Sequence, residues 1–385
     1  MTTIQTRNKL APVSTFMSLQ EKRIGNHPMI QSLEIKNFRC FGHLKVDNLG
    51  LVNVIVGENA SGKTALLEAI FLALGGSPEP VLRLRLWRGL GGVTVTMTRP
   101  GFESIWRDLF FQFDQSQQIE VILRGAPENS RQLTVRYSPE DVEIALSEKI
   151  PGTGTPPIID SSMIVPITFE IGDANNVKHP IKVRPSPTGI AVNGQMLPAL
   201  AAFFCSSYMS TSNPGEPAQQ FSDLSKEKQD APIRRILPQV FPFVSEISVE
   251  VEAGTPMLFC SVPWMTKRTP IALVSSGANK LIALLLGISS QPKGVILIDE
   301  IGNEFYYKTL KSVWGALLSF CKQFNVQLFV STHSKECLEA AMPTLKGNEG
   351  DFRLIRLENQ DGKRMAKVFP ADVFEAAIEN EMEVR

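Results

Sequence analysis

The chain has 385 residues, 43% hydrophobic and 20% charged, which describes a globular protein too long for one compact core. Its 39 Lys+Arg and 39 Asp+Glu cancel, so bulk charge gives no reason to expect nucleic acid, an acidic substrate or a membrane surface as partner; any nucleic-acid site has to be a local patch. The five cysteines are widely spaced, the four histidines fall in no ligand spacing, and no apolar run approaches the ~20 residues of a membrane span, which argues against a disulfide framework, a zinc enzyme and a membrane protein.

Residues 1–31 are polar and aperiodic, with no signal-peptide core, and are expected to form an N-terminal extension of a cytoplasmic protein. Leu33, Ile35, Phe38 and Phe41 alternate with polar residues and predict a half-buried strand and a turn. Residues 51–56 are a β-branched run suited to a strand buried on both faces. Helical periodicity begins at residue 63, with Leu66, Leu67, Ile70, Phe71 and Leu74 on one side. Residues 82–140 read as β-rich, including Val93–Met97 and Ile119–Leu123, with Glu103–Phe113 either helix or strand. Short strands are expected at 163–171 and 180–193, helix over 222–240 and one or two strands over 245–262. No heptad pattern runs through 75–270.

Regular patterning returns at residue 270. Helix is predicted at 279–288, buried strand at 294–298, helix at 307–324, buried strand at 327–330 and helix at 335–341. Strand, helix, strand over 294–330 is a βαβ crossover and requires parallel strands. Two strands flank a hairpin turn at Gln360–Lys363, and a last helix follows from Asp372.

Gly57-Glu58-Asn59-Ala60-Ser61-Gly62-Lys63-Thr64 fits G-x-x-x-x-G-K-[ST] completely, between a buried strand and a helix. Glycines let backbone N–H groups close around phosphate, and the helix start adds roughly half a positive charge. Lys63 is expected to reach the β- and γ-phosphates of ATP, and the Thr64 hydroxyl to ligate Mg²⁺.

The apolar run 294–298 ends in Asp299-Glu300, an arrangement that is costly unless the acids meet a cation or a watery cleft. Beside a P-loop, Asp299 suits support of Mg²⁺ and Glu300 suits polarising the attacking water. Read alone, the same pair is equally an acidic strand edge in solvent. His333 follows the next strand by one crossover, so its loop is expected at the same sheet edge, within reach of the γ-phosphate. Ser275-Ser276-Gly277 before an apolar helix forms either a plain N-cap or an anion site.

In order and spacing these motifs resemble the ABC-type ATPase heads of the SMC/RecF/OLD group, and more closely the stand-alone AAA-ATP-like proteins of bacteria and phage-defence loci. The residues that carry the resemblance are Leu33–Phe41, the P-loop, Val274–Lys280 as signature loop, Ile296–Glu304 as Walker B and D-loop, Ser331–Ser334 as histidine switch, and the Glu-Val-Arg ending. The resemblance implies an α/β P-loop NTPase with an ABC-type head: a mixed, largely parallel core sheet plus an antiparallel β-lobe. The head is divided into 32–140 and 263–385, around an inserted α+β region at 141–262. It also implies Mg²⁺-dependent ATP hydrolysis by a homodimer in which Ser275, Ser276 and Gly277 of one subunit close on the nucleotide held by Gly57, Asn59, Ala60, Ser61, Gly62, Lys63 and Thr64 of the other. Lys63, Glu300 and His333 are then the catalytic set, and Thr64, Asp299 and Gln112 the metal set. Gln112 is the candidate Q-loop glutamine; equally, it is a strand residue.

The chain departs from the family pattern at Ala278, where glutamine or glutamate is usual, and at Tyr306, where relatives often have histidine. Without heptads an SMC-type tether is not expected, and only residues 334–385 follow His333, too few for an OLD-type nuclease. The leading expectation is a dimeric switch for a partner such as a toxin or nuclease. The rivals are a RecF-like DNA-binding ATPase using Arg83, Arg85, Arg88, Arg99 and Arg107, and a small-molecule kinase.

Overall fold

A computed structural model describes residues 29–90, 99–138, 165–173, 177–186, 189–207 and 215–379. The first hairpin, β1 (Ile30–Phe38) with β2 (Phe41–Val46), buries Leu33, Ile35, Leu44 and Val46 because apolar residues alternate along both strands. Fully buried β3 (Val52–Val56) runs into the glycine turn and α1 (Lys63–Leu74). There follow α2 (Glu79–Trp87), α3 (Arg99–Trp106), β4 (Ile119–Gly125), β5 (Arg131–Tyr137), β6 (Ile167–Gly172), β7 (Lys178–Ser186), β8 (Gly189–Gly194) and β9 (Ala202–Cys205). Next come α4 (Gly215–Lys226), α5 (Ala231–Val240), β10 (Ser245–Glu252), β11 (Thr255–Ser261), β12 (Thr269–Pro270), α6 (Ile271–Val274) and α7 (Ser276–Ser290). The chain finishes with β13 (Val295–Ile298), α8 (Leu310–Phe324), β14 (Gln327–Ser331), α9 (Lys335–Leu345), β15 (Phe352–Gln360), β16 (Lys363–Pro370) and α10 (Ala371–Glu379).

Two large sheets enclose α1. One is antiparallel, in the order β2-β1-β4-β5-β6-β7-β8; the other runs β16-β15-β3-β14-β13-β9, parallel except for the edge strand β16. Side-chain alternation divides the second sheet between two cores. Val54, Ile296, Ile298, Leu328 and Val330 pack on the side of α7, α8 and α9, whereas Ile55, Val295, Leu297 and Phe329 pack on the side of α1. Eleven residues of α1 are buried, so this helix is apolar nearly all round, as a helix between two sheets must be. The result is the α/β head with a parallel core and an antiparallel lobe.

The β-rich reading of 82–140 holds for β4 and β5 but not for residues 82–87 and 99–102, which are helical; of the two options for Glu103–Phe113, helix is the one found, in α3 and the short helical turns after it. Pro80 sits in the first turn of α2, Val81 and Leu84 are buried three residues apart, and Arg83 pairs with Glu79 at i,i+4. The expected strand at Val93–Met97, residues 1–28 and the Glu-Val-Arg ending lie outside the described residues. The antiparallel sheet continues across residue 140, since β5 pairs with β6, and β9 from the middle of the chain joins the parallel sheet beside β13. At the β15–β16 turn Asp361 and Gly362 both have positive φ (51° and 79°), as an Asp-Gly hairpin turn of the expected kind requires. No helix among the described residues is long and apolar enough to cross a membrane.

Candidate functional site

Gly57 and Gly62 carry φ of 145° and 108°, conformations that L side chains rarely adopt. Space forbids side chains as well. A Cβ on Gly57 would lie 2.5 Å from the Leu357 carbonyl oxygen, and one on Gly62 would lie 2.6 Å from the Phe41 ring. The loop between them ends at the start of α1, whose first-turn N–H groups and dipole favour an anion. Lys63 is 7% exposed, and its ammonium donates to the carbonyl oxygens of Gly57 at 2.8 Å and Glu58 at 3.1 Å. Burial pushes this ammonium below the usual lysine value, opposed by the nearby carboxylates of Glu300 and Asp299.

Asp299, 1% exposed at the end of β13, is held by three hydroxyls. Thr64 donates to both of its oxygens (3.1 and 3.0 Å), Ser207 to Oδ2 at 2.9 Å and Ser331 to Oδ1 at 2.6 Å. Buried carboxylates need such partners, and these arrive from α1, β9 and β14 because the parallel strands end at one edge. Thr64 and Asp299 therefore meet at this edge.

Glu300 has φ 52°, a left-handed conformation costing a non-glycine residue roughly 1–2 kcal/mol. Its surroundings hold it there. Its N–H donates to Ser331 Oγ at 2.8 Å, and its carbonyl oxygen accepts from the buried Lys280 ammonium at 3.2 Å. The side chain turns to His333, whose Nδ1 lies 2.7 Å from Glu300 Oε2. The βαβ crossover β13–α8–β14 brings these residues together, and His333 leaves its ring exposed beside them.

A cavity of about 970 Å³ opens over this edge. Asn59, Ala60, Gly62, Lys63, Thr64, Asp299 and Glu300 line it, and Gln112 enters from the antiparallel side on a left-handed backbone (φ 53°). Ser275, Ser276 and Gly277 do not line it. Ser275 caps α7 by accepting from the Ala278 N–H at 3.2 Å, and Gly277 is buried where a Cβ would strike the Glu304 carbonyl oxygen at 2.8 Å. The site thus unites Lys63, Thr64, Asp299, Glu300 and His333 and leaves the Ser275–Gly277 loop elsewhere on the same chain.

An AAA domain family model matches residues 32–149, the stretch that contains the P-loop. A protein of Helicobacter pylori named ATP/GTP phosphatase is 22% identical over 380 residues, covering 92% of this chain and 99% of that one. The DNA replication and repair protein RecF of Heliobacterium modesticaldum is 49% identical over 122 residues, 30% of this chain and 33% of that one. In these matches the chain is similar to the SMC/RecF group of ABC-type P-loop ATPases. A solved SMC head bound to the C-terminal winged-helix domain of ScpA aligns over 90% of this chain and 99% of that one, at 16% identity and a TM-score of 0.48. The chain spans about a third of the length of that RecF protein.

The cavity contains residues to which the motifs assign no role. Ser207 is one. Arg39 and Arg88 line the cavity while pairing with Glu68, a residue of α1 that is 2% exposed, each at 2.7 Å. Burial pushes the Arg39 guanidinium down from its usual value, and the Glu68 charge opposes it. Arg364 of β16 donates to the carbonyl oxygens of Cys40 (2.9 Å) and Ala60 (3.4 Å), tying the C-terminal hairpin to the P-loop. The signal for Arg39 lay in the Asn-Phe-Arg-Cys-Phe turn; Ser207 and Arg364 sit in no motif.

Proposed function

We propose that this chain binds ATP with Mg²⁺ and hydrolyses it. The observation that carries the proposal is the Glu300 carboxylate, aimed by a strained backbone and by His333, on the wall of the same cavity as Lys63 and Thr64. The name of the Helicobacter relative, ATP/GTP phosphatase, supports the same reaction. Phosphates suit the loop because Gly57 and Gly62 give it the positive-φ backbone of a tight turn into a helix start and Lys63 supplies the cation. Thr64 and Asp299 offer the oxygen donors that Mg²⁺ prefers, and Gln112 remains a candidate donor. When bound, the ion would neutralise charge on the phosphate oxygens.

In the hydrolytic step Glu300 accepts a proton from water as the water oxygen bonds to the γ-phosphorus. The bond from that phosphorus to the β,γ-bridging oxygen breaks, and ADP leaves with the electron pair. His333 holds the carboxylate toward the water, and Lys63 balances negative charge on the transferred group.

The proposed assembly is a homodimer. Ser275–Gly277 stand at the start of α7, away from their own chain's cavity, which suits a role against a second copy's nucleotide. Such a dimer would act as a nucleotide-gated switch on a partner protein, including one used in phage defence. Phosphate release from ATP by the purified chain, with and without Mg²⁺ and DNA, tests the proposal. Nucleotide binding without any phosphate release would remove the hydrolytic step, and release that depends on DNA would favour the RecF-like alternative.

A further inference from the structure

We propose that Ser207 is a direct ligand of the divalent cation at this site, the role that motif reading assigned to Gln112; the proposal rests on the Mg²⁺–ATP reading above. Ser207 Oγ donates to Asp299 Oδ2 at 2.9 Å, and Thr64 Oγ1 donates to the same carboxylate at 3.0 and 3.1 Å. A hydroxyl has one proton. Once it is given to Asp299, only lone pairs remain to face the cavity, which both residues line. The buried carboxylate thus converts two hydroxyls into acceptors, one from the start of α1 and one from the end of β9. Two neutral oxygens backed by one negative charge suit a hard cation.

Ser331 shows why the third hydroxyl is different. It also donates to Asp299, at 2.6 Å, but its oxygen accepts from the Glu300 N–H at 2.8 Å, and it is 0% exposed. Its capacity is used within the protein, whereas Ser207 is exposed to the cavity.

Topology explains how a residue from the middle of the chain reaches this point. β9 is the parallel neighbour of β13, with Cys205 opposite Ile298, and the Asp299 N–H donates to the Cys205 carbonyl oxygen at 2.9 Å. Two residues further on, Ser207 stands beside the Asp299 side chain. Gln112 approaches from the antiparallel lobe, and the hydrogen bonds to the Asp299 side chain come from Thr64, Ser207 and Ser331 among the described residues.

The test uses the full chain with a non-hydrolysable ATP analogue. Nucleotide affinity is measured in EDTA, and Mn²⁺ affinity of the nucleotide complex by electron paramagnetic resonance. Ser207→Ala should bind nucleotide in EDTA as the wild type does but lose about tenfold or more in Mn²⁺ affinity. Ser207→Thr should restore that affinity, and Ser207→Cys should shift preference from Mg²⁺ toward the softer Cd²⁺. Wild-type Mn²⁺ affinity in Ser207→Ala, or a loss confined to Gln112→Ala, overturns the proposal while leaving the nucleotide reading intact. A wild-type chain that binds no nucleotide under either condition overturns both.

Discussion

His333 Nδ1 and Glu300 Oε2 lie 2.7 Å apart although a helix and a strand separate them in sequence. With Glu300 ionised, Nδ1 carries the proton of that bond, and the imidazole fixes the direction of the carboxylate. Glu300→Gln keeps the shape and removes the base. Phosphate release should fall by about 10²–10⁴-fold while nucleotide affinity is retained, and His333→Ala should lower turnover with little change in affinity. Steady-state phosphate release beside equilibrium titration with a fluorescent ATP analogue separates the two effects.

Lys63 sets a pH dependence. Its ammonium is held below the usual 10.5 by burial. Over the window just beneath 10.5 the folded chain therefore binds fewer protons than the unfolded one, and this group's contribution to stability rises with pH. Phosphate favours the charged form, so nucleotide binding in that window should take up a proton, and affinity should weaken as pH approaches 10.5. Calorimetry in alkaline buffers of different ionisation enthalpy should detect the uptake. Lys63→Arg, always protonated, should lose it.

Placement of Ser275 outside its own cavity leads to a complementation experiment. In the proposed homodimer, Lys63→Ala and Ser275→Arg should each be inactive when prepared alone. In a mixed dimer, one of the two composite sites is free of both substitutions, so mixing should restore part of the turnover. Mixtures as inactive as the separate variants would mean that Ser275 does not work across subunits.

Glu68 carries a stability prediction. It is 2% exposed and pairs with Arg39, itself 11% exposed, so Glu68→Gln leaves a buried guanidinium with only the more distant Asp108 carboxylate, at 3.7 Å, as countercharge. Loss of one member of a buried pair costs about 3–5 kcal/mol, and thermal and urea unfolding should both register it. An unchanged unfolding midpoint would mean that solvent reaches the pair.

The glycine loop and the acidic strand end were legible because each has fixed spacing: Gly57 to Thr64 is one loop between a strand and a helix, and Asp299-Glu300 terminates a run that only a buried strand explains. Helices α2 and α3 were not legible as helices. Arg, Trp and Phe over 83–113 suit either geometry, and burial against α1 and the antiparallel sheet decides between them. Ser207 was hidden for a different reason. A serine in Cys-Ser-Ser has no informative neighbours, and its importance comes from β9 pairing with β13, a contact between segments far apart in sequence. The same holds for Arg364, which reaches Cys40 and Ala60 only because β15 pairs with β3.

The position of β3 has a consequence for biosynthesis. Both of its neighbours, β14 and β15, lie beyond residue 326. While the ribosome is still making the middle of the chain, the strand that carries the P-loop has neither edge covered, and every residue of it but Asn53 is apolar. The nascent N-terminal half must therefore be sheltered, by its own antiparallel lobe or by a chaperone, until the segment after residue 326 emerges. Premature stop codons after β13 should yield insoluble fragments rather than a smaller nucleotide-binding protein.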